Sequence, residues 1–157
     1  MLSLGRRRQL EYLVEPVRWA DLQSVLRLAW RTTQPLYPGP FFEAIARTQP
    51  EYFRVVRENA TGKVRGFVIA ARPPGLKDRL ILLAVEPGLV GRGLRRRLLD
   101  TVETVLRAEG VRTFEVGVPV ADSSTLDFYR REGFHVVGIE PAPTLNEPDR
   151  ALLFKTL

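Results

Sequence analysis

Gly91 and Gly93 stand two residues apart, between an apolar run from Leu80 to Val85 and a segment that opens Leu94-Arg95-Arg96-Arg97. Glycines at that spacing let a backbone turn tightly and approach an anion closely. A helix starting directly after them adds its first amides and its dipole, both of which favour negative charge at the same place. Arg92, Arg95, Arg96 and Arg97 bring further positive charge. The chemistry this stretch offers is therefore the holding of a phosphate or diphosphate group. Other chemistries are poorly supplied. There is no cysteine, and the only histidine, His135, stands beside Phe134 at a strand start. Neither a thiolate metal site nor a cysteine nucleophile can be built, and scattered carboxylates make no metal signature.

The surrounding elements must hold that loop in place. Branched and aliphatic residues from Leu80 to Val85 suit a buried strand, and Pro87-Gly88 stops it. Leu94, Leu98, Val102, Val105 and Leu106 recur at helical spacing, with Gly110 where a left-handed cap belongs. Upstream, Glu11 to Val17 reads as a first strand. Trp19-Ala20-Asp21 starts a helix with Asp21 near its cap, and Leu22, Val25, Leu26, Ala29 and Trp30 mark its apolar face. A turn-rich loop from Thr32 to Pro40 leads to a short helix, Phe41 to Arg47, whose aromatics either line a site or pack that helix down. Tyr52 to Arg57 and Lys63 to Ala71, separated by Glu58 to Gly62, predict an antiparallel hairpin, and Pro73-Pro74-Gly75 breaks the chain after it. Downstream, Arg112 to Val120 returns as a strand parallel to Leu80–Val85. Asp122 or Ser123 caps a helix containing Leu126, Phe128 and Tyr129 that ends at Gly133. Phe134 to Ile139 and Arg150 to Thr156 are the last strands, joined by a loop from Pro141 to Pro148. The order β-α-α-β-β-β-α-β-α-β-β predicts one α/β (α+β) domain over residues 1–157. Its central sheet is mixed and mostly antiparallel, with six to seven strands flanked by about four helices, and residues 1–10 form a disordered basic tail.

A chain of 157 residues that is 45% hydrophobic can bury a core without disulfides or metal. No apolar run approaches the roughly 20 residues of a membrane helix. The basic start MLSLGRRRQLEY lacks an apolar segment of signal-peptide length, so a cytoplasmic location is expected. The net charge of +6 raises the prospect of a polyanionic partner. Of the 24 lysines and arginines, however, only Lys63, Lys77 and Lys155 are lysine, a bias that a GC-rich or heat-adapted source explains equally well. The arginines are also spread along the chain. Nucleic acid is not the expected partner, and Arg6-Arg7-Arg8 reads as a solvated tail.

Leu83-Ala84-Val85-Glu86-Pro87, the loop Val90-Gly91-Arg92-Gly93-Leu94-Arg95 and the segment from Asp122 to Tyr129-Arg130-Arg131-Glu132-Gly133-Phe134 together resemble the GNAT superfamily of N-acetyltransferases. Its members show Leu-Ala-Val-x-Pro, then Gln/Arg-x-x-Gly-x-Gly/Ala, then an Asn-led helix ending Tyr-x-x-x-Gly-Phe. The likeness covers nearly the whole chain by element order, and its specific motifs lie between Leu83 and Phe134. It implies the acetyltransferase fold, acetyl-CoA as co-substrate and no metal. The backbone amides of Gly91, Arg92, Gly93, Leu94 and Arg95 would cradle the pyrophosphate, and the pantetheine arm would run along Leu83, Ala84 and Val85. Tyr129 matches the tyrosine that serves as general acid. Glu115, in Phe114-Glu115-Val116, resembles the glutamate used as general base in the branch that acetylates the N-terminal alanine of ribosomal proteins, with two extra residues between it and Tyr129. Glu86 is the alternative base, and water is a third. Asp122 stands for the usual Asn, as a helix cap. Two loop positions depart from the pattern: Val90 replaces Gln or Arg, and Arg95 replaces Gly or Ala, where it either pairs with a phosphate or obstructs the loop.

The resemblance thus implies direct transfer of an acetyl group to a primary amine of a small molecule or protein. The acceptor is expected beside the Pro35–Phe42 and Pro141–Pro148 loops, where Glu140, Glu147 and Asp149 favour a cationic amine. A homodimer is compatible with this reading and a membrane partner is not. The alternative, motivated by Val90 and Arg95, is a degenerate, non-catalytic acyl-CoA sensor or protein-interaction module. A third reading is a basic RNA- or ribosome-associated protein.

Overall fold

A computed structural model describes residues 11–33, 37–72, 78–142 and 144–157. The basic Arg6–Arg8 tail, Pro35 and Pro73-Pro74-Gly75 lie outside the described residues. Seven strands follow the expected order: β1 (Tyr12–Pro16), β2 (Phe53–Glu58), β3 (Val64–Ala71), β4 (Arg79–Val85), β5 (Thr113–Pro119), β6 (His135–Glu140) and β7 (Arg150–Thr156). The described α-helices are α1 (Leu22–Thr32), α2 (Gly39–Thr48), α3 (Leu94–Ala108) and α4 (Ser123–Arg131). The strands form one sheet in the order β1-β2-β3-β4-β5-β7-β6. The β1/β2, β2/β3, β5/β7 and β6/β7 pairs are antiparallel, and β4/β5 is parallel, with Arg79 opposite Glu115 and Leu80 opposite Val116. The α3 crossover makes that parallel pair possible.

The described residues form two compact units. The first comprises residues up to Ile69 together with Leu82–Val105. Its core contains Val25, Leu28, Phe42, Phe53, Val55, Phe67, Leu98 and Val102, all essentially inaccessible to solvent. Phe42 meets Phe67 edge-on, which answers what that aromatic does in α2: it packs the helix down. Phe41, half-buried, stacks on Tyr37. The α1 stripe differs from the expected one. Leu28 is buried where Trp30 was expected, and Trp30 is 59% exposed, because it lies about 100° round the helix from Ala29 and outside the arc set by Leu22, Val25 and Leu28. At the start of α1, Arg57 Nη2 donates to both oxygens of buried Asp21, at 3.0 and 2.8 Å, and its Nε donates to Glu15. The Asp21 hydrogen bond holds the Arg57 guanidinium above its usual range.

The second unit comprises Ala70–Ile81 and Leu106–Leu157. β5 alternates, burying Phe114, Val116 and Val118 and leaving Thr113, Glu115 and Gly117 on the other face. Antiparallel β7 sets Leu153 opposite Val116, and both are buried. β6, at the sheet's end, is largely exposed.

Candidate active site

The loop predicted to hold an anion is built inside the first unit. Buried Ala84 and Val85 end β4, and the Glu86 amide donates to the Arg65 carbonyl at 2.8 Å, fastening the strand's end to β3. Gly66 lets β3 come close: a Cβ there would stand 2.8 Å from the Ala84 carbonyl oxygen. Pro87–Leu89 then turn in a single 3-10 turn. Gly91 and Gly93 both adopt left-handed backbone, with φ of 90° and 77°, a conformation that any side chain would strain. Around both positions the space a Cβ would fill is open, so backbone conformation, not crowding, selects glycine. The α3 ladder opens with Arg97 N–H donating to the Gly93 carbonyl, so the preceding amides point out of the helix N-terminus toward the loop.

The four arginines near this loop divide. Arg92 and Arg96 are exposed and Arg95 half-buried. Arg97 turns away: its Nη2 donates to the Tyr12 carbonyl of β1 at 2.9 Å, and burial pulls its guanidinium below the usual range. Its place in the anion charge count is corrected accordingly; it is a brace between α3 and β1. Val90, in the position where Gln or Arg was expected, is 55% exposed. Glu86 is engaged as well, its Oε1 accepting from Arg31 Nη2 at 2.8 Å. That ion pair joins the end of α1 to the end of β4. Sequence spacing gave no sign of it, since the partners are 55 residues apart.

Tyr129 is positioned in the second unit by the way α4 begins and ends. Asp122 caps the start by accepting from the Thr125 amide at 3.2 Å. At the end, Gly133 is left-handed, its amide donates to the Arg130 carbonyl, and the Phe134 amide donates to the Tyr129 carbonyl. These two bonds are the Schellman arrangement, which brings Tyr129 and Phe134 together. Their rings meet edge-on and Phe128 flanks the tyrosine, so the Tyr129 ring, 5% exposed, is held on two sides.

Glu115 lies half-buried on the β5 face opposite Phe114. Among the described residues its carboxylate has no hydrogen-bond or ion-pair partner. Its neighbour in register, Arg79, reaches instead to Glu140 Oε2 at 2.9 Å. Glu140, expected to attract a cationic amine, is therefore already neutralised. Asp149, expected to do the same, accepts from the Ala142 amide at 2.8 Å. Both serve the structure around the Pro141–Pro148 loop, because a carboxylate close to a guanidinium or an amide is drawn to that donor. Among the described residues no group of three or more His, Asp or Glu is placed to hold a metal ion, and no helix is long and apolar enough to cross a membrane.

The profile of the acetyltransferase (GNAT) family matches residues 19–134, which include β4, the glycine loop, α3 and α4. The chain belongs to the GNAT family. A mycothiol acetyltransferase of Beutenbergia cavernae is 30% identical over 90 residues, and the match spans 57% of this chain but only 30% of that protein's length. The ribosomal-protein-S18-alanine N-acetyltransferase of Escherichia coli superposes with a TM-score of 0.75 at 21% identity, covering 92% of this chain and 93% of that one. A chain of the NatC complex bound to Gag peptide and CoA superposes with a TM-score of 0.82 at 20% identity, covering 94% and 99%. At such identities these structures establish the shared fold.

Within this GNAT chain, the glycine loop and the Tyr129 segment lie in the elements expected from the sequence, and Glu115 lies on β5. The contacts of Arg31, Arg79 and Gly117 were not foreseen from spacing. The last leaves room on β5 for the Arg79 side chain, since a Cβ at Gly117 would stand 3.3 Å from Arg79 Nη2. A glycine inside an otherwise alternating strand was the one available signal.

Proposed function

We propose that the protein is an acetyl-CoA-dependent N-acetyltransferase that transfers the acetyl group directly to a primary amine of a small molecule or protein. The observation that carries this reading is the pair of left-handed glycines, Gly91 and Gly93, opening into α3 directly after β4 in a chain of the GNAT family. Acetyl-CoA supplies the activated acyl thioester. The amides of Gly91, Gly93, Leu94 and Arg95 bind its pyrophosphate, the Arg92 amide already donating to the Leu89 carbonyl at 3.4 Å, with Leu83, Ala84 and Val85 along its pantetheine arm. Tyr129, its ring fixed against Phe134, donates a proton to the departing thiolate, help worth about 10²–10⁴-fold in rate. Glu115 receives the proton that the attacking amine gives up. An uncommitted carboxylate supports this choice over Glu86, which Arg31 already engages. Similarity to a ribosomal-protein-S18-alanine N-acetyltransferase and to a mycothiol acetyltransferase supports testing both protein and small-molecule acceptors.

The test is calorimetry with acetyl-CoA and CoA, followed by thiol release over a panel of peptide N-termini and small amines. Wild type, Tyr129→Phe, Glu115→Gln, Glu86→Gln and Arg95→Gly are compared. The proposal expects CoA binding, acceptor-dependent thiol release, and large losses of turnover for Tyr129→Phe and Glu115→Gln but not Glu86→Gln. Absence of CoA binding by wild type overturns it. Tight binding without release across the panel points to an acyl-CoA sensor, a reading the exposed Val90 side chain would then support.

A further inference from the structure

Resting on the reading of Glu115 as the group that takes the amine proton, we propose that Glu140 and Gly117 are positioning residues that keep Arg79 away from it. Arg79 and Glu115 are opposite each other in the parallel β4/β5 ladder, where facing side chains are close neighbours. The Glu115 amide donates to the Asp78 carbonyl, so the ladder fixes the carboxylate beside the arginine's stem. A guanidinium and a carboxylate so placed would ordinarily pair. Here they do not. Arg79 instead extends across β5, and its Nη2 meets Glu140 of β6 at 2.9 Å.

Gly117 makes that route available. It is the next residue on the Glu115 face of β5, and a Cβ there would meet Arg79 Nη2 at 3.3 Å and the Arg150 side chain at 3.4 Å. Glu140 supplies the end point, and its register partner Arg150 flanks the path from β7. The other residues facing Glu115 from this side are Phe154 of β7, its register partner, and His135 of β6, opposite Phe154. Lys155 serves the other face, over the Phe134 ring. Arg79 is thus the cation placed to capture Glu115, and the Gly117–Glu140 device diverts it. An ion pair would favour the ionised carboxylate and weaken it as a base.

Glu140→Gln and Gly117→Ala change this arrangement by unrelated means, one removing the anchor and the other closing the path. Gly117 has an ordinary strand conformation, so alanine is conformationally permitted there. Both variants are expected to lower kcat/KM for amine acetylation by about threefold or more and to move the acidic limb of its pH profile to lower pH. CoA affinity by calorimetry should stay at the wild-type value. Adding Arg79→Gln to either variant should return the limb and the rate toward wild type, a rescue that general destabilisation would not give. Single variants whose limb stays put, or a double variant without rescue, overturn the proposal. Wild-type turnover in Glu115→Gln overturns the underlying assignment of the base instead, which keeps the two failures apart.

Discussion

The rings of Tyr129 and Phe134 meet edge-on, 5.3 Å between centroids at an angle of 74°, across the left-handed Gly133 that ends α4. The contact is the apolar clasp of a Schellman cap, so Tyr-x-x-x-Gly-Phe is a folding signal, separate from the acid role proposed for the Tyr129 hydroxyl. The two roles separate by mutation. Tyr129→Phe keeps the clasp and should leave the urea midpoint nearly unchanged while thiol release falls. Phe134→Ala, at a position 1% exposed, should cost about 3–5 kcal/mol in the same denaturation experiment.

Gly93→Ala tests the loop. With φ at 77° and open space around it, alanine pays for the left-handed backbone and not for a clash, about 1–2 kcal/mol. Acetyl-CoA affinity, read by calorimetry, should fall by more than that stability loss explains, because relaxation of the loop re-aims its amides. Gly88→Ala, also in open space but without the left-handed backbone, should be neutral in both measurements.

Gly66→Ala tests the support beneath β4. Its Cβ would press on the Ala84 carbonyl oxygen at 2.8 Å and on Val56 Cγ1 at 2.9 Å, so β4 must shift from β3. Overpacking of this kind costs about 1–3 kcal/mol, measurable by chemical denaturation, and should also weaken CoA binding.

Glu58 predicts a local acid sensitivity in the β2–β3 hairpin. The hydroxyl of Thr61, and after it Arg65, hold its carboxyl below the usual value of 4.5. A depressed folded-state value means that its stabilising contribution is fully present above pH 4.5 and is lost as pH falls through the folded-state value. An NMR titration should place the Glu58 midpoint below that of a model peptide. In Thr61→Val the midpoint should move back up.

The sequence by itself determined the elements and their order. Apolar residues at helical spacing marked α3, branched and aliphatic residues marked β4, glycines with left-handed backbone marked the ends of α3 and α4, and Leu83–Phe134 carried the motifs of the family. These are local signals, set by side-chain spacing and by φ at single residues. What each charged side chain does was decided only by tertiary structure. Arg97 braces β1, Arg31 engages Glu86, and Arg79 passes Glu115 to reach Glu140. Trp30 is exposed because the arc of α1 that is buried depends on how the helix is set down. Charge pairing acts over a few ångströms between residues as far as 61 positions apart, and spacing along the chain carries no record of that distance.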